Sequence, residues 1–143
     1  MTALRISHTL RADDLSVVHD YLSTQAYWSR GIPLETVQRA VSHSLCFAGY
    51  SGESLAAFAR VISDYATFAN LVDVFVLPAH RGQGLARELM QAVLDHPQLQ
   101  GLRRFTLATS DAHGLYGKYG FTALARPERF MERYDPDVYA APT

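Results

Sequence analysis

With 143 residues, 48% of them hydrophobic, 13 Lys plus Arg against 14 Asp plus Glu, and a formal net charge of -1, the chain fits one globular domain over 1–143, with no room for a second. That balance gives no global electrostatic case for a nucleic-acid or acidic-membrane partner, although a local basic site for a small anion stays open. Cys46 is the only cysteine and excludes an internal disulfide. The N-terminus from Met1 to Thr9 lacks the apolar core of a signal peptide, and no stretch nears the roughly 20 apolar residues of a bilayer span, so a cytoplasmic protein is expected.

Leu4 to His8 alternates apolar and polar residues, which suits a half-buried first strand. Asp13 and Asp14 open a helix on which Leu15, Val18 and Leu22 recur at helical intervals. After an aromatic loop, Gln25 to Gly31, a second helix starts at Pro33, with Leu34, Val37 and Val41 on one face. Leu45 to Tyr50 and Leu55 to Ile62 are apolar runs separated by Ser51-Gly52-Glu53-Ser54, the pattern of a hairpin with Gly52 free to take a positive φ. Leu71 to Leu77 is nearly continuous and β-branched, the mark of a central strand covered on both faces. Leu85, Leu89, Ala92 and Val93 then define the clearest helix, which Pro97 stops. Arg104 to Ala108 reads as another buried strand, His113 to Tyr119 as a short helix, and Phe121 to Tyr134 as one or two final strands. The expected order β-α-α-β-β-β-α-β-α-β(-β) is mixed α/β, a meander followed by units that imply parallel pairing.

The stretch from Val72 to Met90 carries the chemistry: a strand, a short loop with Arg81, Gly82, Gln83 and Gly84, then a helix opening Leu85-Ala86-Arg87. A helix N-terminus offers unpaired N–H groups and about half a positive charge, glycines let an anion approach the backbone, and arginine adds fork-shaped donors. Phosphate binding is the favoured reading, against a merely tight strand-to-helix connection. A P-loop would need Gly-Lys-Ser/Thr where Gly84-Leu85-Ala86 stands, and a dinucleotide fingerprint a third glycine where Arg87 stands.

The run Arg81-Gly82-Gln83-Gly84-Leu85-Ala86, preceded by Val74-Phe75-Val76-Leu77-Pro78, resembles the Gln/Arg-x-x-Gly-x-Gly/Ala loop of the GNAT family of N-acetyltransferases. Ala112-His113-Gly114-Leu115-Tyr116-Gly117-Lys118-Tyr119-Gly120-Phe121 is similar to the A-x-x-L-Y-x-x-x-G-F segment of the same family, in the same order along the chain. Segments such as Tyr27-Trp28-Ser29, Ser44 to Phe47, Asp64 to Phe68 and Asp111 to Tyr116 further resemble those of small bacterial members.

The resemblance implies the GNAT acyltransferase fold with splayed central parallel strands, and acetyl-coenzyme A as acetyl donor. Carried over, the backbone of Val74, Phe75 and Val76 would pair with the pantetheine arm, and the N–H groups from Gly82 to Arg87, with Arg81, would hold the pyrophosphate. Tyr116 matches the tyrosine that protonates the leaving thiolate, against a bland reading as a helix aromatic packed on the core. Thr109 stands where many relatives have a cofactor-contacting asparagine, so Asp111 or His113 would compensate. For the general base, Asp73 is the only carboxylate in the strand, but strict alternation would point it away from the face of Asn70, Val72 and Val74. The favoured reading of Asp73 is instead a structural carboxylate capping a neighbouring loop or helix. A water relay is therefore the leading route for amine deprotonation, with Asp73 and Asp64 behind it. Tyr27 and Trp28 would line the pocket of a small-molecule amine, or simply pack over the sheet. The six histidines show no ligand spacing, so no metal is expected, and Cys46 reads as a small buried hydrophobe. The charges of Arg126, Glu128, Arg129, Glu132 and Arg133 read as a solvated edge, in a region through which the family often forms homodimers. The activity so implied is acetyl-coenzyme A dependent N-acetylation of a small primary amine. The alternatives are a non-catalytic acyl-coenzyme A binding or sensing module on the same fold, or acetylation of a protein or peptide amine.

Overall fold

The hairpin is formed as the sequence suggests: Ser51 pairs with Ser54, and Gly52 takes φ +61°, the positive value that a two-residue II′ turn asks of its first residue. In the computed structural model, which describes residues 4–140, this hairpin joins β2 (Leu45–Ser51) to β3 (Ser54–Ser63). Met1 to Ala3, the start of the stretch read above as lacking an apolar leader, lie outside the described residues. β1 (Arg5–Ser7) runs antiparallel to β2, and β4 (Phe68–Val76) antiparallel to β3. β5 (Arg104–Leu107) completes the sheet in the order β1-β2-β3-β4-β5 and is parallel to β4. A parallel pair needs a crossover connection, and the chain between β4 and β5 supplies it as helix α3 (Leu85–Asp95).

Helices cover both faces of the sheet. α1 (Ala12–Thr24) and α2 (Leu34–Ser42) lie on one, where Val18, Leu22 and Val37 pack with Cys46, Tyr50, Phe58 and Phe75. On the other, Leu89, Met90 and Val93 of α3 pack against Phe47, Ala57, Ala59, Val61, Ala69 and Leu71. The alanines matter here, since small side chains on β3 leave room for the larger ones of α3. An 11-residue helix is marginal alone, so α3 is held by its buried face: Leu85, Leu89, Met90 and Val93 contribute roughly 1.5–3 kcal/mol each.

One buried polar cluster ties α1 to the sheet. Tyr50 is 1% exposed, and its hydroxyl donates to Asp14 Oδ2 at 2.7 Å. Arg11 Nε donates to the same oxygen at 2.7 Å, while the guanidinium groups of Arg5 and Arg11 each lie 4.6 Å from the Tyr50 ring centroid. Cation–π contact and a charge-assisted hydrogen bond thus satisfy a phenol in the core.

The final strands expected between Phe121 and Tyr134 do not form. A short helix α4 (His113–Gly117) precedes this segment, and among the described residues Phe121 to Tyr134 is irregular chain with one 3₁₀ turn at Pro127–Arg129. Pro127 has no N–H to give a ladder and starts that turn. Arg126, Glu128, Arg129, Glu132 and Arg133 are exposed, as is Met131 at 97%. Phe130 is pinned by Arg104, whose guanidinium sits 4.8 Å above its ring.

Asp14→Ala removes the acceptor of a buried phenol, and a loss of about 1–3 kcal/mol in urea unfolding is expected. His96, in edge contact with His8 at 4.9 Å between ring centroids, has its pKa lowered by burial and by the His8 charge. A group that binds its proton less readily when folded stabilises the fold above its unfolded pKa and loses that contribution as pH falls. Thermal stability is expected to drop on acidification below about pH 6.5, and a His96→Gln variant to flatten that drop when melting is followed across the range.

Candidate active site

The site begins where β4 and β5 part. Their parallel register runs from Phe68↔Arg104 to Leu71↔Leu107 and stops. Thr106 Oγ1 donates to Asn70 Oδ1 at 2.7 Å and pins the last pairs. Beyond it, the β5-facing edge of Val72 to Val76 has no strand partner among the described residues.

The cause is a bulge in β4. Phe58 pairs with Phe75 but Arg60 pairs with Val72, so three steps on β4 oppose two on β3. Asp73 absorbs the extra residue at φ +53°, a left-handed conformation that aspartate tolerates better than most residues. The bulge also reverses the alternation of side chains. Ala69 and Leu71 belong to the α3-side core, yet so do Val74 and Val76, whereas Phe75 is buried on the α1/α2 side. The expectation that Asp73 points away from Asn70 and Val72 is therefore wrong, because it assumed an unbroken period of two. Asp73 joins their side of the sheet, where its Oδ1 accepts from Trp28 Nε1 at 2.8 Å and its Oδ2 from Arg60 Nε at 3.0 Å. Arg60 also donates through Nη1 to Ser44 Oγ.

These elements enclose a cleft of about 540 Å³, walled by Tyr27 and Trp28 on one side and by Thr109, Asp111 and Tyr116 on the other, over an apolar floor that includes Leu71, Val74 and Leu107. Tyr27 and Trp28 meet edge to face at 5.1 Å, and the Tyr27 hydroxyl donates to Ser110 Oγ at 2.8 Å. The aromatic loop is thereby fastened across the cleft to the β5-α4 connection. Tyr116 is half-buried beside Phe121, 6.2 Å between centroids, and burial followed by the Asp111 charge pushes its pKa up. Its phenol keeps its proton at neutral pH, and no protein partner for the hydroxyl is seen among the described residues. Thr109 Oγ1 accepts from the backbone N–H of Ala112 at 3.0 Å and shapes the turn into α4.

A second feature lies past the end of β4. Gly82 and Gly84 have φ of +81° and +75°, and a Cβ at either would meet no atom within 4 Å, so the glycines serve backbone conformation and open access rather than packing. Gly84 caps α3, whose first bond of this turn is Glu88 N–H to Gly84 O. None of the six N–H groups from Gly82 to Arg87 has a protein acceptor among the described residues. Arg81 is used differently from the expectation: its Nε donates to the Val76 carbonyl at 3.0 Å and its Nη2 to the Tyr21 hydroxyl at 3.1 Å, with Tyr21 stacked on Phe75 at 4.1 Å. It braces the loop against the strand end.

The structure thus brings Tyr27, Trp28, Asp73, Val74, Asp111 and Tyr116 to one cleft, while Phe75, Val76 and the loop from Arg81 to Arg87 lie beyond its walls. His113 faces a second hollow across β5. Asp64 is no candidate base: Thr67 through its hydroxyl, and the N–H groups of Thr67, Ala66 and Phe68, hold its carboxyl well below the usual range at the β3-β4 turn. Burial pushes the Cys46 thiol up to about 11, consistent with a core hydrophobe. Among the described residues no group of three or more His, Cys, Asp or Glu could hold a metal ion, and no helix is long and apolar enough to cross a membrane. Arg60, Ser110, Asn70 and Tyr21 were not legible in the sequence as site residues. Only Arg60 left a trace, as a lone charge in the apolar run from Leu55 to Ile62.

The family model described as the acetyltransferase (GNAT) family matches residues 15–121. A candidate acetyltransferase of Gibberella zeae is 31% identical over 117 residues, 67% of this chain and 65% of that protein. A ycf52-like N-acetyltransferase of Prochlorococcus marinus is 33% identical over 108 residues, 71% of this chain and 59% of its own length. The chain therefore spans about two thirds or less of these curated relatives. A crystal structure of a candidate GNAT acetyltransferase from Xanthomonas campestris pv. campestris superposes with a TM-score of 0.94 at 55% identity, covering 99% of each chain. A GNAT protein of Streptococcus pneumoniae, at 23% identity and a TM-score of 0.72 over 94% of this chain and 98% of its own, shares the fold. Alongside the splayed parallel pair and the glycine-built helix start, the match of the family model over residues 15–121, well over half of the chain, makes this protein a member of the GNAT acetyltransferase family.

Proposed function

We propose that the protein transfers an acetyl group from acetyl-coenzyme A to the primary amine of a small molecule. The observation that carries this reading is the pairing of an unpartnered strand edge, Val72 to Val76, with six unpaired N–H groups from Gly82 to Arg87 at a helix start. An amide-bearing arm that ends in a pyrophosphate needs that combination: a strand edge to bond peptide-like groups, and a helix N-terminus to take the anion. Bound acetyl-coenzyme A supplies a thioester, an acyl group already activated toward amines. Val74 offers the strand edge, and the Val76 carbonyl is withheld by Arg81.

In the cleft, the chain's own groups have separate tasks. The amine nitrogen bonds to the acyl carbon as the carbon–sulfur bond breaks, and Tyr116 gives its proton to the departing sulfur. The proton lost by the amine leaves through water. Asp73 has both oxygens engaged by Trp28 and Arg60, so it fits the task of holding the acceptor wall better than that of taking a proton. The raised pKa of Tyr116 favours an acid that stays loaded. The non-catalytic alternative has no use for a phenol open to the cleft.

Gly84→Glu forces a side chain into a left-handed position, at a cost of roughly 1–3 kcal/mol, and adds a carboxylate at the anion loop. At least a tenfold loss of coenzyme A affinity in calorimetry is expected, with roughly unchanged circular dichroism. Tyr116→Phe is expected to keep coenzyme A affinity and to lower kcat for thiol release with an amine panel by roughly 10²–10⁴. Unchanged release would favour the binding module. In the parent protein the alkaline fall of kcat, set by loss of the Tyr116 proton, is expected above the ordinary tyrosine value near 10.

A further inference from the structure

Of the side chains walling the cleft only Asp73 and Asp111 carry charge, and both are carboxylates. The one cation bonded to a charged side chain of this wall, Arg60, is not itself part of the lining: it gives Nε to Asp73 Oδ2 and Nη1 to Ser44 Oγ, and its side chain is 15% exposed. Asp73 is thereby largely offset, whereas Asp111 is exposed and forms no ion pair among the described residues. An acceptor that brings a carboxylate of its own would find no cation to pair with and one uncompensated negative charge facing it. An ammonium group entering from water meets the opposite situation, attracted by Asp111 and by the aromatic faces of Tyr27 and Trp28. The rest of the lining is apolar or neutral, with Leu71, Val72, Val74 and Leu107 available to an alkyl chain or ring. The indole of Trp28 is fixed by its bond to Asp73, so this wall is present before a ligand arrives.

We infer that the acceptor is a carboxylate-free primary amine with an aromatic or alkyl body, and that Asp111, with the Asp73-anchored Trp28, is the specificity determinant that turns amino acids away. This rests on the acetyl-transfer reading for calling the ligand an acceptor, but the binding preference can be read without turnover. Trp28 is the only tryptophan in the chain, so its fluorescence reports occupancy of the cleft directly.

The test titrates the full chain, with saturating coenzyme A, using 2-phenylethylamine and L-phenylalanine, a pair that differs only by the carboxylate. The amine is expected to shift Trp28 fluorescence with a Kd at least about tenfold below that of the amino acid, as an unpaired charge against a like charge implies. The Asp111→Asn variant should shrink that ratio severalfold while its coenzyme A affinity, measured separately, reports the loop. Equal affinity for the two ligands, tighter binding of the amino acid, or no response to either overturns the inference. Thiol release with the same pair is scored apart: its absence despite a fluorescence preference counts against acetyl transfer and leaves the charge selectivity standing, and equal release from both counts against the selectivity alone.

Discussion

A single extra residue in β4 governs the active region of this molecule. Because three steps from Val72 to Phe75 oppose two steps of β3, the strand twists away from β5 after Leu71, and the two parallel strands cannot close again. The cleft, the free strand edge and the reversed facing of Val74 and Val76 all follow. Asp73 sits at that point in a left-handed conformation, and its carboxylate is met by Trp28 and Arg60. Backbone strain of this kind persists only where the surroundings over-determine it, and here an ion pair of two nearly buried side chains does so.

The bulge also connects two parts of the cleft that are separate in sequence. The backbone of Asp73 shapes the free strand edge, and its side chain holds the aromatic loop. Trp28 and Tyr27 belong to the connection between α1 and α2, far from β4 along the chain, yet one reaches Asp73 and the other reaches Ser110 beyond β5. The loop is held through two adjacent side chains over a mouth that the sheet leaves open. Electrostatics then add direction: a cleft walled by carboxylates and aromatic rings, next to a loop of unpaired N–H groups, presents opposite signs at two places within one near-neutral chain.

Most of the fold was legible because the sequence patterns are local. The apolar periods of α1, α2 and α3, the Gly52 turn and the continuous run of β4 all appear where expected. The motifs around Arg81 and Tyr116 fall at the start of α3 and on α4, beside the open edge of β4. What escaped was non-local or depended on a count of one. A bulge leaves no trace in a period-two reading, so the side of Asp73 was misjudged, and with it that of Val74. Arg60, Ser110 and Tyr21 act through partners 13, 83 and 60 residues away, which spacing cannot reveal. The C-terminal strands failed for a different reason: Phe121 to Tyr134 has β-prone residues, but Pro127 and the surrounding charges leave them no ladder to join.

Arg81 turns inward, toward the Val76 carbonyl and the Tyr21 hydroxyl. What the loop leaves open is therefore chiefly a run of peptide N–H groups, and the side chain named by the motif works as a brace. Peptide N–H groups neither titrate nor change with the residue that carries them. Positions such as Gln83, exposed and without a packing role in the core, are free to drift in sequence while the run of free N–H groups keeps its shape, whereas any change that lets the end of β4 swing away from α1 disturbs a loop it never touches.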